Sequence, residues 1–412
     1  MQTHDAMNPQ KVELLAPAGN FEKLEIAVNY GANAVYLAGK NFSLRNFSGN
    51  FSHAELKQAV KLAHAGNVKV YIACNIYSRS SEQKAVAEHL QELGTIGPDA
   101  LIIADPGIFM QARQLVPEIP VHLSTQANTT NYNSVLFWEQ LGVKRINAAR
   151  ELSLKEIYEI TMHSTAEVEA FVHGAMCISY SGRCLLSSFM ALRDSNRGLC
   201  AHPCRWKYSV VEELRPGKYM PIAEDKRGTY IFNSSDLCMI EHIPAMINAG
   251  ITSLKIEGRM KGINYLATTV KIYREAIDRY YADPDAYQVD EEWLKELGFI
   301  NNRGYCTGFY FNDPEQILPN YERHQKPKHY FAAKVLKPIS EKYVNIEVRN
   351  KIFKGDEISI LRKKGPAVSD KVEDIIDIDG KSQPFAQPGS IMNILVNGKY
   401  SENDLIRKKE FI

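Results

Sequence analysis

The sequence predicts an α/β protein: a (βα)8 TIM-barrel-like domain with a cysteine-bearing insertion, then a small C-terminal all-β, barrel-like domain. Three observations predict this. Eight short runs rich in Val, Ile, Leu and Ala alternate with amphipathic stretches, as strands buried on both faces of a parallel sheet do. The seventh and eighth runs stand about 80 residues apart, too far for an ordinary βα connection. From about Tyr330 the pattern changes to short β-type runs with no helix between them.

The eight runs are ELLAPAG (13–19), NAVYLAG (33–39), KVYIACN (69–75), ALIIADP (100–106), PVHLSTQ (120–126), RINAARE (145–151), VEAFVHG (168–174) and SLKIEGR (253–259). NFEKLEIAVNY, SHAELKQAVKLAHA and SEQKAVAEHLQEL read as helices between them, with Ser81 and Ser153 as caps. Eight strands fit a closed barrel, and an open doubly wound sheet is the alternative. The insertion, 175–252, holds WKYSVVEEL (206–214), the turn RPGK (215–218) and RGTYIF (227–232), which read as a β-hairpin laid over the barrel mouth. The helix INYLATTVKIYREAIDRYYAD follows the eighth strand. DPDAYQ (283–288) breaks the chain, DEEWLKEL is helical, and NRGYCTGFYF is rich in Gly and aromatics. The domain boundary is expected at 325/326. YFAAKVL, YVNIEV, DEISIL, VEDIIDI and SIMNILV are the strands of the C-terminal module.

At 412 residues the chain can bury a large core. Its net charge of +1 makes no whole-chain case for nucleic acid, but residues 322–365 hold 12 Lys or Arg against 5 Asp or Glu. Such an excess is either a solvated face or a phosphate-contact surface. The start, MQTHDAMNPQKVELL, lacks the basic and apolar parts of a signal peptide, and no apolar run of about 18 residues appears. A cytoplasmic location with reduced or metal-bound thiols is expected. HExxH, GxSxG, GxxxxGK(S/T) and GxGxxG motifs are all absent.

In a barrel, polar residues at the C-terminal ends of the strands face one mouth. Those positions hold Asn75, Asp105, Gln126, Glu151, His173, Glu257 and Arg259. Each could also cap the next helix. His173 is a candidate acid, base or substrate hydrogen-bonder, although a lone histidine is more often structural.

Five of the seven cysteines fall between Cys177 and Cys238. Disulfides do not suit a reducing compartment. Cys200 and Cys204 have the close spacing of a zinc pair, while Cys177 and Cys184 do not. The dispersed set Cys177, Cys184, Cys200 and Cys238 leans toward an iron–sulfur cluster. Gly174, Gly182 and Gly198 beside them suit a tight site. Cys74 and Cys306 read as packed core thiols.

EAFVHGAMCISYSGRCLLS (169–187), NRGLCAHPCRWKY (196–208), NSSDLC (233–238), KIEGRMK (255–261) and the opening LLAPAGNFEKLEIAVNYGANAVYLAG resemble the collagenase-like peptidases of family U32 over about residues 12–320. The resemblance implies more than peptidase chemistry, because members are linked to oxygen-independent hydroxylation of tRNA, rRNA and ubiquinone precursors. Length, the EGRMK motif and the basic module resemble the tRNA-hydroxylating branch. That implies 5-hydroxyuridine at the wobble position and prephenate as co-substrate. It also implies a [4Fe–4S] cluster on Cys177, Cys184, Cys200 and Cys238, with Cys204 as a possible alternative ligand, and an unidentified electron donor. On this reading Glu151, His173, Glu257 and Arg259 are the candidate catalytic residues. Asn75, Asp105, Gln126, Arg150 and Lys255 are the candidate substrate-binding residues, with Arg150, Lys255 and Arg259 as cationic partners for an anionic ligand. The basic module would hold tRNA phosphates through residues such as Lys328, Lys334 and Lys337, and Tyr305, Phe309 and Tyr310 would stack on a base or pack between domains. A collagenase-like peptidase, an rRNA- or ubiquinone-pathway hydroxylation protein and a zinc-stabilised RNA-binding protein are the alternatives.

Overall fold

The computed structural model describes residues 11–44, 49–177, 179–205, 224–225, 228–229, 235–312 and 329–409. All eight expected barrel strands are present. β1 (Glu13–Pro17), β2 (Ala34–Leu37), β3 (Lys69–Cys74), β4 (Ala100–Ile103), β5 (Val121–Leu123), β6 (Arg145–Asn147) and β7 (Glu167–Ala175) run parallel in chain order. β8 (Asp236–Cys238) belongs to the insertion. β9 (Ser253–Ile256) is the eighth barrel strand and pairs parallel with both β7 and β1. That double pairing closes the barrel and removes the open-sheet alternative.

Helices α1 (Phe21–Asn29), α2 (His53–Ala65), α3 (Gln83–Ile96), α4 (Pro106–Leu115), α5 (Tyr132–Gln140) and α6 (Leu154–His163) return between the first seven strands. Capping residues start them where the side chains can satisfy free amides. Ser153 makes a reciprocal cap with Glu156, as expected, and Ser52 does so with Glu55. Ser81 does not cap α3; it lies inside a short 3-10 turn (Ser80–Glu82). There Glu82 Oε2 accepts from Arg79 N at 2.8 Å, and the α-helix begins at Gln83. α7 (Leu186–Ala191) lies in the insertion, and α8 (Ile243–Asn248), α9 (Ile263–Ala282) and α10 (Glu291–Gly298) follow. β10 (Tyr305–Cys306) pairs with β8, which runs antiparallel to the outer end of β7. A second, short ladder therefore stands on the barrel rim. Within the expected hairpin, Glu224–Asp225 pairs with Gly228–Thr229; residues 206–214 and the turn at 215–218 lie outside the described residues, as does the domain boundary.

Strand alternation decides what each face holds. Leu14, Val70, Ile72, Ile146, Val168 and Leu254 point out and join the helices in one large apolar core. Cys74 is part of it, and burial pushes its thiol up to about 12. Inside the barrel, Leu15, Tyr36, Tyr71, Ala73 and Ile102 form a small apolar cluster. The rest of the interior is charged. Glu13 Oε1 receives Arg145 at 2.6 Å and Ser253 at 2.8 Å, and Glu169 Oε1 receives Lys255 at 2.7 Å and Asn147 at 2.8 Å.

The C-terminal domain is antiparallel and all-β. Its strands are β11 (His329–Pro338), β12 (Tyr343–Val348), β13 (Glu357–Leu361), β14 (Val368–Lys371), β15 (Asp374–Ile376), β16 (Ile391–Leu395) and β17 (Leu405–Lys409).

 In the sheet they lie in the order β14, β13, β17, β11, β12, β16, β15. The two end strands are one stretch of chain broken only at Val372–Glu373, so the sheet coils into a half-barrel. The five expected strands are there. β14 and β17 are additional, since VSDK and LIRKK do not read as strands from their apolar content. The interior is aliphatic, built from Val335, Ile346, Ile358, Ile360, Ile394 and Ile406.

The half-barrel packs on α1, α9 and α10. Tyr30 donates to Leu361 O at 2.9 Å and to Asn403 O at 3.1 Å. Arg407, fully buried, bonds Asn264 at 2.8 Å and Thr268 at 2.6 Å and pairs with Glu296. Among the described residues no helix is long and apolar enough to cross a membrane.

Candidate functional site

The barrel mouth forms a cavity of about 50 Å³ lined by Tyr36, Asn75, Gln126, Asn147, Arg150, Phe171, Lys255, Glu257 and Arg259, among others. Six of the residues expected at the mouth or in substrate contact thus share one lining: Asn75, Gln126, Arg150, Lys255, Glu257 and Arg259. Asn147 also belongs to it, and its buried Oδ1 has no hydrogen-bond partner among the described residues. Its position, third residue of a strand whose first is inward-facing Arg145, is the sequence signal that could have found it.

Each mouth residue is held by a specific neighbour. Asn75 donates to Ser124 Oγ at 3.2 Å, and its Oδ1 accepts from Leu44 N at 3.3 Å. Lys255 Nζ sits between Glu169 and the ring of Tyr36, 4.5 Å from the ring centroid. Tyr36 donates to Glu257 Oε2 at 3.3 Å. Arg259 is buried, and its guanidinium donates to Asn50 at 3.0 Å and Ser43 at 3.2 Å. The Arg150 guanidinium lies over the Phe171 ring at 4.3 Å and has no ion pair among the described residues.

Three expected residues do other work. Asp105 caps α4, accepting from Ile108 N at 2.9 Å, and its second oxygen accepts from Ser78 N at 3.2 Å. The Glu151 carboxylate takes Ser181 Oγ at 3.0 Å and the Asn128 amide. His173 is 1 % exposed, packed among the rings of Tyr265, Tyr273 and Tyr305 at 5.3–5.7 Å between centroids. Burial holds its imidazole down to about 3, so it is neutral at physiological pH. It lines neither the mouth nor the cysteine cavity. The rim ladder covers it: β8 pairs Cys238 directly with His173. A strand reading from sequence cannot see that cover, because it comes from a segment 63 positions later.

A second cavity, of about 100 Å³, adjoins the first. Gln126 and Arg150 line both. Cys177, Cys184, Cys200 and Cys204 all line this second cavity, and Cys238 is outside its lining. Cys238 stands on β8, where Tyr273 approaches its sulfur at 3.8 Å and burial pushes the thiol up to about 11. Every cysteine is a free thiol.

The cysteine segment is seated on the rim by a few contacts. Ser181 is buried between Glu151, Thr125 Oγ1 at 3.3 Å and Arg150 N at 3.3 Å. Arg197 pairs with Glu82 and donates to Tyr77 O at 2.9 Å. Gly182 is required where the segment meets the rim: with φ of +75°, a Cβ there would stand 2.1 Å from Gln126 O. Gly174 is required for the same reason, since its Cβ would stand 2.4 Å from Glu257 O. These glycines therefore serve close approach of backbone to the barrel rim.

The donor set fits an iron–sulfur cluster. Four thiols surround one cavity, and His202 N donates to Cys200 Sγ at 3.4 Å, the kind of contact that tunes a cluster sulfur. Among the described residues no three His, Cys, Asp or Glu side chains are gathered tightly enough for a single metal ion. A cluster takes its thiolates over a wider body than one ion does.

The aromatics expected to meet RNA pack onto the barrel domain, Tyr310 buried and Tyr305 and Phe309 half-buried. Tyr310 is buried with its hydroxyl on Phe171 O, Tyr305 donates to Leu297 O at 2.9 Å, and Phe309 packs against the barrel core. Of the three lysines, Lys334 is buried with its ammonium 3.5 Å from Glu25, at the domain interface. Lys337 is exposed, and Lys328 lies outside the described residues.

The model of peptidase family U32 matches residues 19–320, and that of the family U32 C-terminal domain matches residues 327–407. The chain is 39 % identical over 402 residues to "tRNA hydroxylation protein P1" of Bacillus subtilis, covering 97 % of this chain and 95 % of that protein. It is 36 % identical over 421 residues to "tRNA hydroxylation protein P" of Escherichia coli, covering 92 % of each. A "Collagenase" of Porphyromonas gingivalis is 28 % identical over 386 residues, covering 90 % of this chain and 91 % of that protein. With both models matched in order along nearly its whole length, the chain belongs to peptidase family U32 and carries the family's C-terminal domain.

Proposed function

We propose that the chain is a cytoplasmic tRNA-modification protein that hydroxylates the wobble uridine to 5-hydroxyuridine without molecular oxygen, with prephenate as co-substrate. The observation that carries this reading is end-to-end likeness to relatives named for tRNA hydroxylation. The geometry supports it, because a thiol-lined cavity and a cationic barrel mouth share Gln126 and Arg150.

Cys177, Cys184 and Cys200 would hold a [4Fe–4S] cluster together with Cys238, which the family pattern implies, or with Cys204, which shares their cavity. Such a cluster supplies electron transfer, drawn from a separate donor. The chain's own residues bind and orient. Arg150, over the Phe171 ring and without a carboxylate partner among the described residues, is preorganised to take a carboxylate in a two-bonded fork. Lys255 adds positive charge at the floor, fixed by Glu169. The bare Asn147 Oδ1 accepts a hydrogen bond from a hydroxyl or amide of the bound molecule. Burial of Lys255 and Arg259 keeps bulk water from the floor of the mouth. The basic C-terminal domain meets the tRNA backbone.

Nucleoside mass spectrometry of tRNA and rRNA from a deletion strain tests the reading. The modified uridine should vanish from tRNA, return with the wild-type chain and stay absent with Cys177→Ala. Anaerobically purified wild-type protein should hold about four iron per chain, and Cys177→Ala little. An unchanged nucleoside profile in the deletion strain would sink the reading. Zinc in place of iron would replace the cluster with a zinc-stabilised RNA-binding site, and gelatin cleavage abolished by a single point mutation would restore the peptidase reading.

A further inference from the structure

The C-terminal domain carries a feature that the mouth does not use. At its edge, Ile352–Phe353 pairs antiparallel with Phe385–Ala386, placing the two phenylalanine rings together with centroids 6.0 Å apart. Phe353 is 43 % exposed. Lys351 holds its ammonium 4.0 Å from the Phe385 centroid and 5.0 Å from that of Phe353, and Lys408 lies 5.4 Å from Phe353. The turn that presents Phe353 is fixed: Phe353 N donates to Asp356 Oδ2 at 2.8 Å, and Gly355 takes φ of +90°.

This corner also has a definite orientation. Arg349, two residues before Lys351, pairs with Glu22 in the first turn of α1. That turn follows the C-terminal end of β1, so it belongs to the mouth end of the barrel. Lys23, next along, donates to Arg259 O at 2.9 Å. The aromatic corner therefore stands on the same side of the molecule as the mouth.

The charges favour a polyanion. Of the nearby lysines, Lys354 pairs with Asp374 at 3.0 Å and Lys408 with Asp356 at 3.0 Å. Lys351 has no carboxylate partner among the described residues, only the two rings. An exposed aromatic ring flanked by an unneutralised ammonium is the composition of single-strand nucleic-acid platforms: the ring stacks on a base and the cation meets the phosphate. Apolar protein partners bury rings in a desolvated pocket and do not need the free ammonium.

We propose that Phe353, Phe385 and Lys351 form a stacking platform for an unpaired nucleotide of the RNA whose target base enters the barrel mouth. The inference rests on the tRNA reading and adds a recognition surface to it. The platform prefers unpaired over duplex RNA, because a base inside a helix offers no free face.

Binding of full-length protein to two fluorescent RNAs tests this: a hairpin with an unpaired, uridine-containing loop, and a blunt duplex of the same stem. Phe353→Ala should weaken hairpin binding about tenfold and leave duplex binding and the salt slope unchanged. Phe353→Trp should restore it. Lys351→Gln should lower affinity for both RNAs and reduce the salt slope by about one. Phe353 is exposed, so its variants keep the fold, which thermal unfolding verifies. Unchanged hairpin affinity in Phe353→Ala would overturn the platform, as would equal losses for hairpin and duplex. The two readings fail separately: a wild-type chain that supports 5-hydroxyuridine while Phe353→Ala binds normally loses only the platform, whereas absence of the nucleoside effect in the deletion strain removes the tRNA reading itself.

Discussion

The chain contains two closed or nearly closed β structures whose interiors are built from opposite materials. The barrel interior is half ionic, with Glu13, Arg145, Glu169 and Lys255 bonded across it. The half-barrel interior is aliphatic. Buried charges cost solvation that pairing only partly offsets, while aliphatic packing stabilises directly. The barrel carries that cost through its depth, from Glu13 and Arg145 at the N-terminal ends of their strands to Lys255 and Asn147, which face the mouth cavity. In the half-barrel the charged groups lie instead at the seam with the barrel, as Lys334, Asp404 and Arg407 do, or on its outside, as Lys351 does. Interior polarity therefore separates the domain that holds a site from the domain that presents a surface.

The largest effect should come from breaking the ionic interior on one side only. Glu169→Ala strands Lys255 beside Arg145 in the barrel and should cost about 3–5 kcal/mol of stability, measured by denaturant unfolding. A loss below about 1 kcal/mol would show that water reaches the network and that the interior is not the closed ionic core drawn here. The matching change in the other domain, Ile346→Ala, should cost about 2–4 kcal/mol through a cavity. It should lower the half-barrel's unfolding transition while iron content stays at the wild-type level, since the described residues of the cysteine segment are seated on the barrel. Loss of iron in that variant would mean that the domains are coupled more tightly than the interface suggests.

Asp404 is a buried carboxyl of the half-barrel at its seam with the barrel. Burial raises it from 3.8 to about 6. The folded state therefore keeps a proton that the unfolded chain releases between those values, and stability falls as pH rises through this window. Asp404→Asn keeps an acceptor for Ser401 N and removes the charge. It should add about 1–2 kcal/mol above pH 6 and little near pH 4. An equal gain at both ends of the window would refute the titration account. The smallest stability effect belongs to Arg150→Gln, within about 0.5 kcal/mol, because its guanidinium has no ion pair to lose among the described residues. The modified nucleoside should nonetheless fall sharply and recover in part at raised co-substrate concentration. Wild-type output at low co-substrate would remove Arg150 from the anion site.

Much of this was legible in the chain itself. The eight barrel strands were readable because strands buried on both faces must be apolar, and the interruption after the seventh was readable because its length is wrong for a βα loop. β17 was not readable, since LIRKK becomes a strand by pairing between β11 and β13, and its charged Arg407 is buried there because it finds Glu296, Asn264 and Thr268 on the other domain. At the site, the strand-end rule brought out Asn75, Gln126, Glu257 and Arg259. It also brought out Asp105, Glu151 and His173, which cap a helix, anchor the cysteine segment and fill the core. A rule based on strand ends fixes height along the barrel but not what covers that height.

The sequence by itself determined the alternation of buried faces, the grouping of thiols and the family, because periodicity, spacing and motif are properties of the one-dimensional chain. The tertiary structure alone decided which residues meet. β8 returns over His173 and takes it out of the mouth; Gly182 lets the cysteine segment touch Gln126; Cys204 shares a cavity with Cys177, Cys184 and Cys200 while Cys238 stands on the rim ladder. Those contacts join residues tens of positions apart, and only the closed barrel holds their separations fixed.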